Sequence, residues 1–351
     1  MSGNVPAAPT TGRGGAPVMT DVAALAGVSY QTVSRVINDQ PGVRASTRER
    51  VLAAMRELDY RPSSAARSLA SGRSRVIGII ASGSTLYGPT RTLRGVEQAV
   101  REAGYHTSTE TLARLDRESV LHAIDRVRAH RVDGIVAIDL EADAATGLRD
   151  LAERVPLIML GGGLDHVTNS VALDGRTSSR NAVEHLLQLG HRTVWHLAGP
   201  RRWAAAQDRM LGWRHALEAA GAPVHEPMSG DWSARSGYEV GRVLAADPEV
   251  TAVFAANDQM AVGLLRALHE AGRRVPQDVS VVGFDDIPEA GYLIPPLTTL
   301  RQDFEDEGRR AVATLLARIE EPGRRPVPVT VVPELVVRAS TAPPRPRQED
   351  T

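Results

Sequence analysis

The spacing of hydrophobic positions changes near residue 75. Beyond it, short apolar runs recur without strict alternation: Val76–Ala81, Gly134–Ile138, Leu157–Leu160, Val194–Ala198, Ala252–Ala256 and Ser280–Phe284. Such runs fit parallel strands buried on both faces. Between them lie stretches with apolar residues at helical spacing: Arg91–Ala103, Ser119–His130, Ser178–Leu189, Gln207–Ala220, Ser236–Ala246 and Asp258–Ala271. Strands alternating with amphipathic helices predict an α/β fold with doubly wound parallel sheets. The units are too many for one sheet of ordinary size, so two lobes are expected.

Ahead of residue 75 the spacing is helical only. In Thr20–Asn38, Thr20 is read as an N-cap. Val22, Ala23, Leu25 and Ala26 give the first helix an apolar face, and Gly27 stops it by taking positive φ. Ser29 caps a second helix, in which Val33, Val36 and Ile37 share a face. Two helices joined by a Gly-containing turn form a helix-turn-helix. Ser46 is expected to cap a third helix, Thr47–Leu58, with Val51, Leu52, Met55 and Leu58 inward.

The outer face of the second helix carries Tyr30, Gln31, Ser34, Arg35 and Asn38. Gln31 and Arg35 are four apart and share a face. Gln pairs bidentately with adenine and Arg with guanine in the major groove. Ser29 and Ser34 are short donors suited to phosphate oxygens. The bland reading of these residues is a solvated helix face; the turn and the apolar frame favour DNA.

Charge supports that choice through its distribution. The 351-residue chain has a formal net charge of −1, yet residues 19–75 hold nine Arg against five Asp and Glu. A basic N-terminal module on an acidic body is the expected footprint of a DNA-binding head. With no Cys, disulfides and thiolate metal sites are excluded. No apolar run approaches the roughly 20 residues of a membrane span. Residues 1–17 have no apolar signal region and read as a disordered tail. A cytoplasmic, nucleoid-associated protein without membrane partners is expected.

Ligands of open α/β sheets bind beyond the carboxyl ends of the strands. Asp139, the pair Asn257 and Asp258, and the pair Asp285 and Asp286 occupy such positions. A strand end is also where a helix cap belongs. Asp258 is read first as the cap of the following helix, leaving Asn257 and Asp285 as the better ligand candidates. Enzyme signatures are absent: no G-x-S-x-G elbow, no phosphate loop, and no G-x-G-x-x-G at Gly161-Gly162-Gly163. His122, His130, His185, His191 and His196 lack metal spacing, so neither metal nor cofactor is expected.

The segment from Thr20 to Asn38, with AGP (198–200), GW (212–213), GDWSARSGY (230–238), ANDQMA (256–261) and IPPLTTLRQDF (294–304), resembles the lactose repressor (LacI/GalR) family of transcriptional regulators. The likeness covers nearly the whole chain. It implies a three-helix headpiece (18–62), a hinge (63–73) and a periplasmic-binding-protein-like core (74–338); the Pro-rich, polar residues 339–351 read as a disordered tail without a leucine heptad, so a dimer rather than a tetramer is expected. It also implies that the chain crosses between lobes three times, placed here near Gly161–Gly163, Ile287–Pro295 and Leu300–Phe304. In such a protein Leu69 of the hinge wedges into the minor groove; the alternative is that Leu69 packs on the body. Carried over by position, the sugar-contacting Arg is Arg209, the amide Asn257 and the carboxylate Asp285. Trp232 and Phe304 stack on the ligand, and Leu86 and Pro89 line the apolar wall. Gly161 stands where the pattern has a carboxylate, Ala205 where it has a serine and Glu307 where it has an apolar side chain. Trp203 is an added bulky neighbour.

These features imply a repressor that binds a palindromic DNA operator as a homodimer. A small sugar or glycoside would release it. A corepressor scheme, a sugar-binding protein of transport and a sugar-processing enzyme are the rivals. No acid/base pair supports the last.

Overall fold

The computed structural model describes residues 17–38, 40–61, 73–83, 85–112, 116–138, 155–161, 170–321 and 329–345. Leu69, Asp139, Gly162, Gly163 and the hinge except Arg73 lie outside the described residues. The chain divides into two compact units between Ser74 and Arg75.

In the first unit, helices α1 (Met19–Ala26), α2 (Tyr30–Ile37) and α3 (Ala45–Glu57) enclose a core of Val22, Ala23, Ala26, Val33, Val36, Val51 and Ala54. Gly27 ends α1 at φ 63°, and the Ser29 hydroxyl accepts from the Thr32 N–H at 3.2 Å, capping α2. Thr20 does not cap α1. That helix starts two residues earlier, with Val18 as its cap residue, whose N–H donates to Asp21 Oδ2 at 2.9 Å. Ser46 likewise lies inside α3, which the chain enters at Arg44. Leu25 is 46 % and Leu52 40 % exposed. The inward set of α1 runs 19, 22, 23, 26, the three-and-four spacing of one helix face, and Leu25 flanks it.

The second unit begins with β1 (Val76–Ser82), α4 (Tyr87–Glu102), β2 (His106–Leu112), α5 (Arg117–Ala129), β3 (Gly134–Ile138), β4 (Leu157–Leu160) and β5 (Ser170–Leu173). It continues with α6 (Gly175–Gln188), β6 (Trp195–Ala198), α7 (Ala204–Ala219), β7 (Met228–Ser229), α8 (Ala234–Ala246), β8 (Ala252–Ala255), α9 (Asp258–Glu270) and β9 (Ser280–Asp285). A 3-10 turn at Ala290–Tyr292 precedes β10 (Thr298–Arg301), and α10 (Phe304–Glu320), β11 (Val329–Val331) and β12 (Glu334–Val336) follow.

Two six-stranded sheets result, ordered β11-β5-β4-β3-β1-β2 and β12-β10-β9-β8-β6-β7. All pairings are parallel except β10 with β12. The apolar runs form central strands, buried from both sides by helices. Ile77, Ile79, Val136, Ile158 and Leu315 meet in the first lobe. In the second, Trp213, Phe254, Phe284 and Leu300 fill one face of the sheet.

The chain passes between lobes at Asp174, at Gln302–Asp303 and at Val332–Pro333, where consecutive elements belong to different lobes. Only the crossing expected near Leu300–Phe304 lies where the sequence placed it. Gly161 leaves β4, which pairs directly with β5 in the same sheet. The segment Ile287–Pro295 joins β9 to β10, which also pair with each other. A second revision concerns residues 339–345, read above as tail. Ser340 is fully buried; its hydroxyl donates to the Val281 carbonyl at 2.6 Å and accepts from the Thr298 N–H at 2.7 Å. His191 Nε2 reaches the Ala342 carbonyl at 3.1 Å. Polar side chains, not an apolar stripe, tie this segment to the second lobe.

Candidate functional site

In the headpiece, α2 buries Val33 and Val36, which turns its other side to solvent. Tyr30, Gln31, Arg35 and Asn38 are exposed and Ser34 is half-buried. The cap residue and one of these polar groups serve the helix itself. The Ser29 hydroxyl is the cap, and Asn38 Nδ2 donates to the Ser34 carbonyl at 2.9 Å. Gln31 and Arg35 remain as the long side chains able to reach base edges. Thr20 is exposed on α1, off this face of α2.

The second unit contains a cleft cavity at the carboxyl ends of the strands. All seven residues assigned to a ligand, Leu86, Pro89, Arg209, Trp232, Asn257, Asp285 and Phe304, line it. Asp285 ends β9 at φ 114°, and Trp232 adopts φ 76°. Non-glycine residues in that region are strained by about 1–3 kcal/mol each and cluster at ligand sites. Arg209 projects from α7, with Nη2 3.7 Å from Asp285 Oδ1 and Nη1 donating to the Ala256 carbonyl. Its guanidinium lies 3.7 Å from the Phe284 ring centroid and 5.5 Å from that of Trp232. These aromatic faces hold the cation flat. Gln302 Nε2 donates to Asp285 Oδ1.

Asn257, not Asp258, caps α9: its Oδ1 accepts from the Met260 N–H at 3.0 Å. Asn257 Nδ2 donates to the Trp232 carbonyl at 3.0 Å and so fixes the strained loop. Asp258 is fully buried behind the cleft, accepting from Thr299 Oγ1 at 2.6 Å and from the Ile287 N–H at 2.9 Å. Burial, with the charge of Asp285 nearby, pushes its carboxyl up to about 8. Burial also pushes Asp285 up to about 6, against the pull of Arg209 and the Gln302 hydrogen bond. Asp286 is structural; it takes Arg301 Nε and Arg338 Nη2, each at 2.7 Å.

Sequence reasoning passed over Gln302, although the residue lies inside the quoted motif ending RQDF. It also missed Tyr87, whose ring meets Phe304 edge-on at 5.7 Å. The Arg176–Asp208 pair, 3.2 Å apart at the cleft wall, joins two helices and left no signal in either. Gly161, Trp203, Ala205 and Glu307 all line the cavity. Among the described residues no group of three or more His, Cys, Asp or Glu could hold a metal ion, and no helix is long and apolar enough to cross a membrane.

A headpiece with a polar helix face, followed by a two-lobed α/β core with a polar and aromatic cleft, defines a ligand-responsive regulator. The model of bacterial regulatory proteins of the lacI family matches residues 18–63, and that of the periplasmic binding protein-like domain matches 183–341. The lactose operon repressor of Escherichia coli (strain K12) is 37% identical, over 93% of this chain and 92% of its own length. A crystal structure of the lac repressor dimer bound to operator and the anti-inducer ONPF has a TM-score of 0.85 at 35% identity, covering 93% of this chain and 99% of that one. A complex of the transcriptional regulator CelR with cellobiose has a TM-score of 0.68 at 33% identity, covering 92% and 99%. The chain belongs to the lacI family.

Proposed function

We propose that this chain is a transcriptional repressor that binds a palindromic operator as a homodimer and releases it when a small sugar or glycoside enters the cleft. The observation that carries this reading is the meeting of Arg209, Asp285 and Asn257 with the faces of Trp232 and Phe304 in one cavity of a chain bearing a helix-turn-helix. A guanidinium, a carboxylate and an amide make paired hydrogen bonds to neighbouring hydroxyls. The aromatic rings cover the apolar face of the sugar ring. The relatives support the same chemistry, since one is solved with operator and ONPF and another with cellobiose.

In the headpiece, Gln31 and Arg35 read bases, and Ser29, Tyr30, Ser34 and Asn38 set position on the backbone. Thr20 contributes from α1, and Leu69 wedges into the minor groove. Two heads on one dimer supply the contacts that one short helix lacks. The protein is regulatory rather than enzymatic and acts on the nucleoid, in the cytoplasm. Thermal-shift screening against mono- and disaccharides, followed by fluorescence anisotropy on duplexes selected for binding, tests the scheme. Release of bound DNA by a stabilising sugar supports it. DNA that binds only when the sugar is present reassigns the ligand as a corepressor.

A further inference from the structure

Asp285 and Asp286 are neighbours that serve different surroundings. Asp285 lines the cleft beside Arg209 and Gln302, whereas Asp286 stands outside the lining and meets Arg301 and Arg338. Their backbones lie at φ 114° and 53°, two consecutive non-glycine residues in the left-handed region. Such a turn persists only where its surroundings over-determine it. Here each residue of the turn is held by a different partner. Gln302 donates to Asp285, the two arginines donate to Asp286, and the Ile287 N–H donates to Asp258 Oδ2 at 2.9 Å.

The contacts of Asp286 brace the turn, and they also reach the strands that lead to the first lobe. Arg301 is the last paired residue of β10 on both sides, opposite Asp285 of β9 and Glu334 of β12. Beyond it neither ladder continues, and the second crossing begins at once, at Gln302. Side chains therefore take over from the backbone as the link between the turn and the crossing strand. Arg338 follows β12, the strand that arrives from the third crossing. It is also fastened to the start of β10, with Nη1 donating to the Leu297 carbonyl at 2.7 Å and its N–H to Thr298 Oγ1 at 2.9 Å. The Arg338 side chain is 20 % exposed and that of Arg301 51 %. Exposed pairs contribute little in water, so the Arg338 half of the clamp is the firmer one. One carboxylate, a single peptide away from Asp285, thus ties together the strands at two of the three crossings.

We propose that Asp286 is a positioning residue that couples the cleft to the crossings: through Arg301 and Arg338 it governs operator release rather than effector affinity. This rests on the reading that a sugar in the cleft controls operator binding. A hydroxyl that engages Asp285 shifts the turn, and the paired hydrogen bonds of Asp286 carry that shift to β10 and to the segment after β12. Removing the charge of Asp286 leaves Asp285, Arg209, Asn257 and the aromatic faces in the cleft, and cuts their tie to the crossings.

The test uses the full-length protein, a duplex selected for binding, and glucose, galactose, cellobiose and lactose as probes. Isothermal titration gives the affinity of each sugar for the free protein, and anisotropy gives operator affinity without sugar and at saturation. In the wild type the two operator affinities should differ at least about tenfold. In Asp286→Asn that ratio should fall to within about threefold of unity, while sugar affinity stays within about threefold of wild type. Arg338→Met should act in the same direction, and Asp286→Glu, which keeps the charge, should retain most of the coupling. A contact that only stabilised the fold would lower the melting temperature and leave the ratio intact. A folded Asp286→Asn protein with the wild-type ratio therefore overturns the proposal and leaves the sugar reading standing. So does a variant that loses sugar affinity along with the ratio, which would make Asp286 part of the binding site. If Asp286→Asn melts below the assay temperature, Arg338→Met and Arg301→Gln decide by the same two readings. Failure of every sugar to bind, or to alter wild-type operator affinity, overturns the sugar reading itself, and this proposal with it.

Discussion

Replacing Asp285 with asparagine isolates the charge that we assign to the effector. Alanine is the poorer choice, because the backbone sits at φ 114°. Asn tolerates positive φ better than Ala does. It also keeps the volume and an oxygen for Gln302 Nε2. The charge is held in place by Arg209 Nη2 at 3.7 Å and by Gln302. A hydrogen bond to a charged group contributes about 1.5–3 kcal/mol. At about 1.4 kcal/mol per decade, Asp285→Asn should weaken the effector roughly ten- to a hundred-fold. Operator affinity should be unchanged, because the headpiece lies in the other unit. Acidity supplies a second readout. The free carboxyl titrates near 6, and hydroxyls donating to it favour the ionised form. Wild-type affinity should therefore be level above that pH and fall about tenfold per unit below it, while Asp285→Asn stays flat. Isothermal titration gives the affinities, anisotropy gives operator release, and melting temperatures confirm that the variant is folded. A folded Asp285→Asn protein that releases operator at the wild-type sugar concentration would refute the assignment.

Three further outcomes are expected. Arg35→Ala should cost roughly 1–3 kcal/mol and relax preference at one base pair per half-site, measured on a set of single-base operator variants; a uniform loss across sequences would make Arg35 a phosphate contact. Leu69→Ser should lower specific operator affinity and leave sugar affinity unchanged; undiminished operator binding would make Leu69 a packing residue. His196, stacked on Phe254 and Trp213 and buried, is held down to about 4 chiefly by burial. Its unfolded form gains a proton below about 6.5 and the folded form does not. Stability is thus lost as pH falls from 6.5 to 4, by about 3 kcal/mol, and His196→Phe should remove that part of the acid sensitivity in melting curves.

What the sequence made legible follows from burial. Central strands such as Gly134–Ile138 and Leu157–Leu160 are apolar throughout because helices cover both faces, and their bounds in the structure are the expected ones. The strand His106–Leu112 was overlooked because it is an edge strand of sequence HTSTETL with mostly exposed side chains. The helix Phe304–Glu320 was overlooked for another reason. Its inward positions 304, 307, 308, 311, 312, 315 and 319 keep helical spacing, but Glu307 and Gly308 interrupt the apolar pattern. At the cleft, the position-by-position resemblance gathered residues that no local pattern could bring together. The local reading of the strand ends mistook which neighbour caps α9. Asn257 and Asp258 are both good caps by chemistry, and only the turn of the chain decides that Asn257 faces the helix and Asp258 faces Thr299.

The placement of the crossings bears on how ligand binding can reach the rest of the molecule. A ligand moves an equilibrium between two arrangements only through contacts that differ between them. Any relative movement of the lobes would be taken up where the chain passes from one lobe to the other, because elsewhere each lobe is tied by its own sheet. Leu173 and Gly175 flank the first crossing, and Gln302 lies in the second; all three line the cleft. Gln302 also holds Asp285 directly. A sugar hydroxyl that engages Asp285 thus acts on a side chain bonded to a crossing strand. Had the crossings fallen at Gly161–Gly163 and Ile287–Pro295, the second would have stood at the exposed turn of Tyr292 and Ile294, which are 88 % and 97 % exposed. The observed arrangement puts the Asp285 carboxylate and the Gln302 amide that holds it within one hydrogen-bonded group at the second crossing.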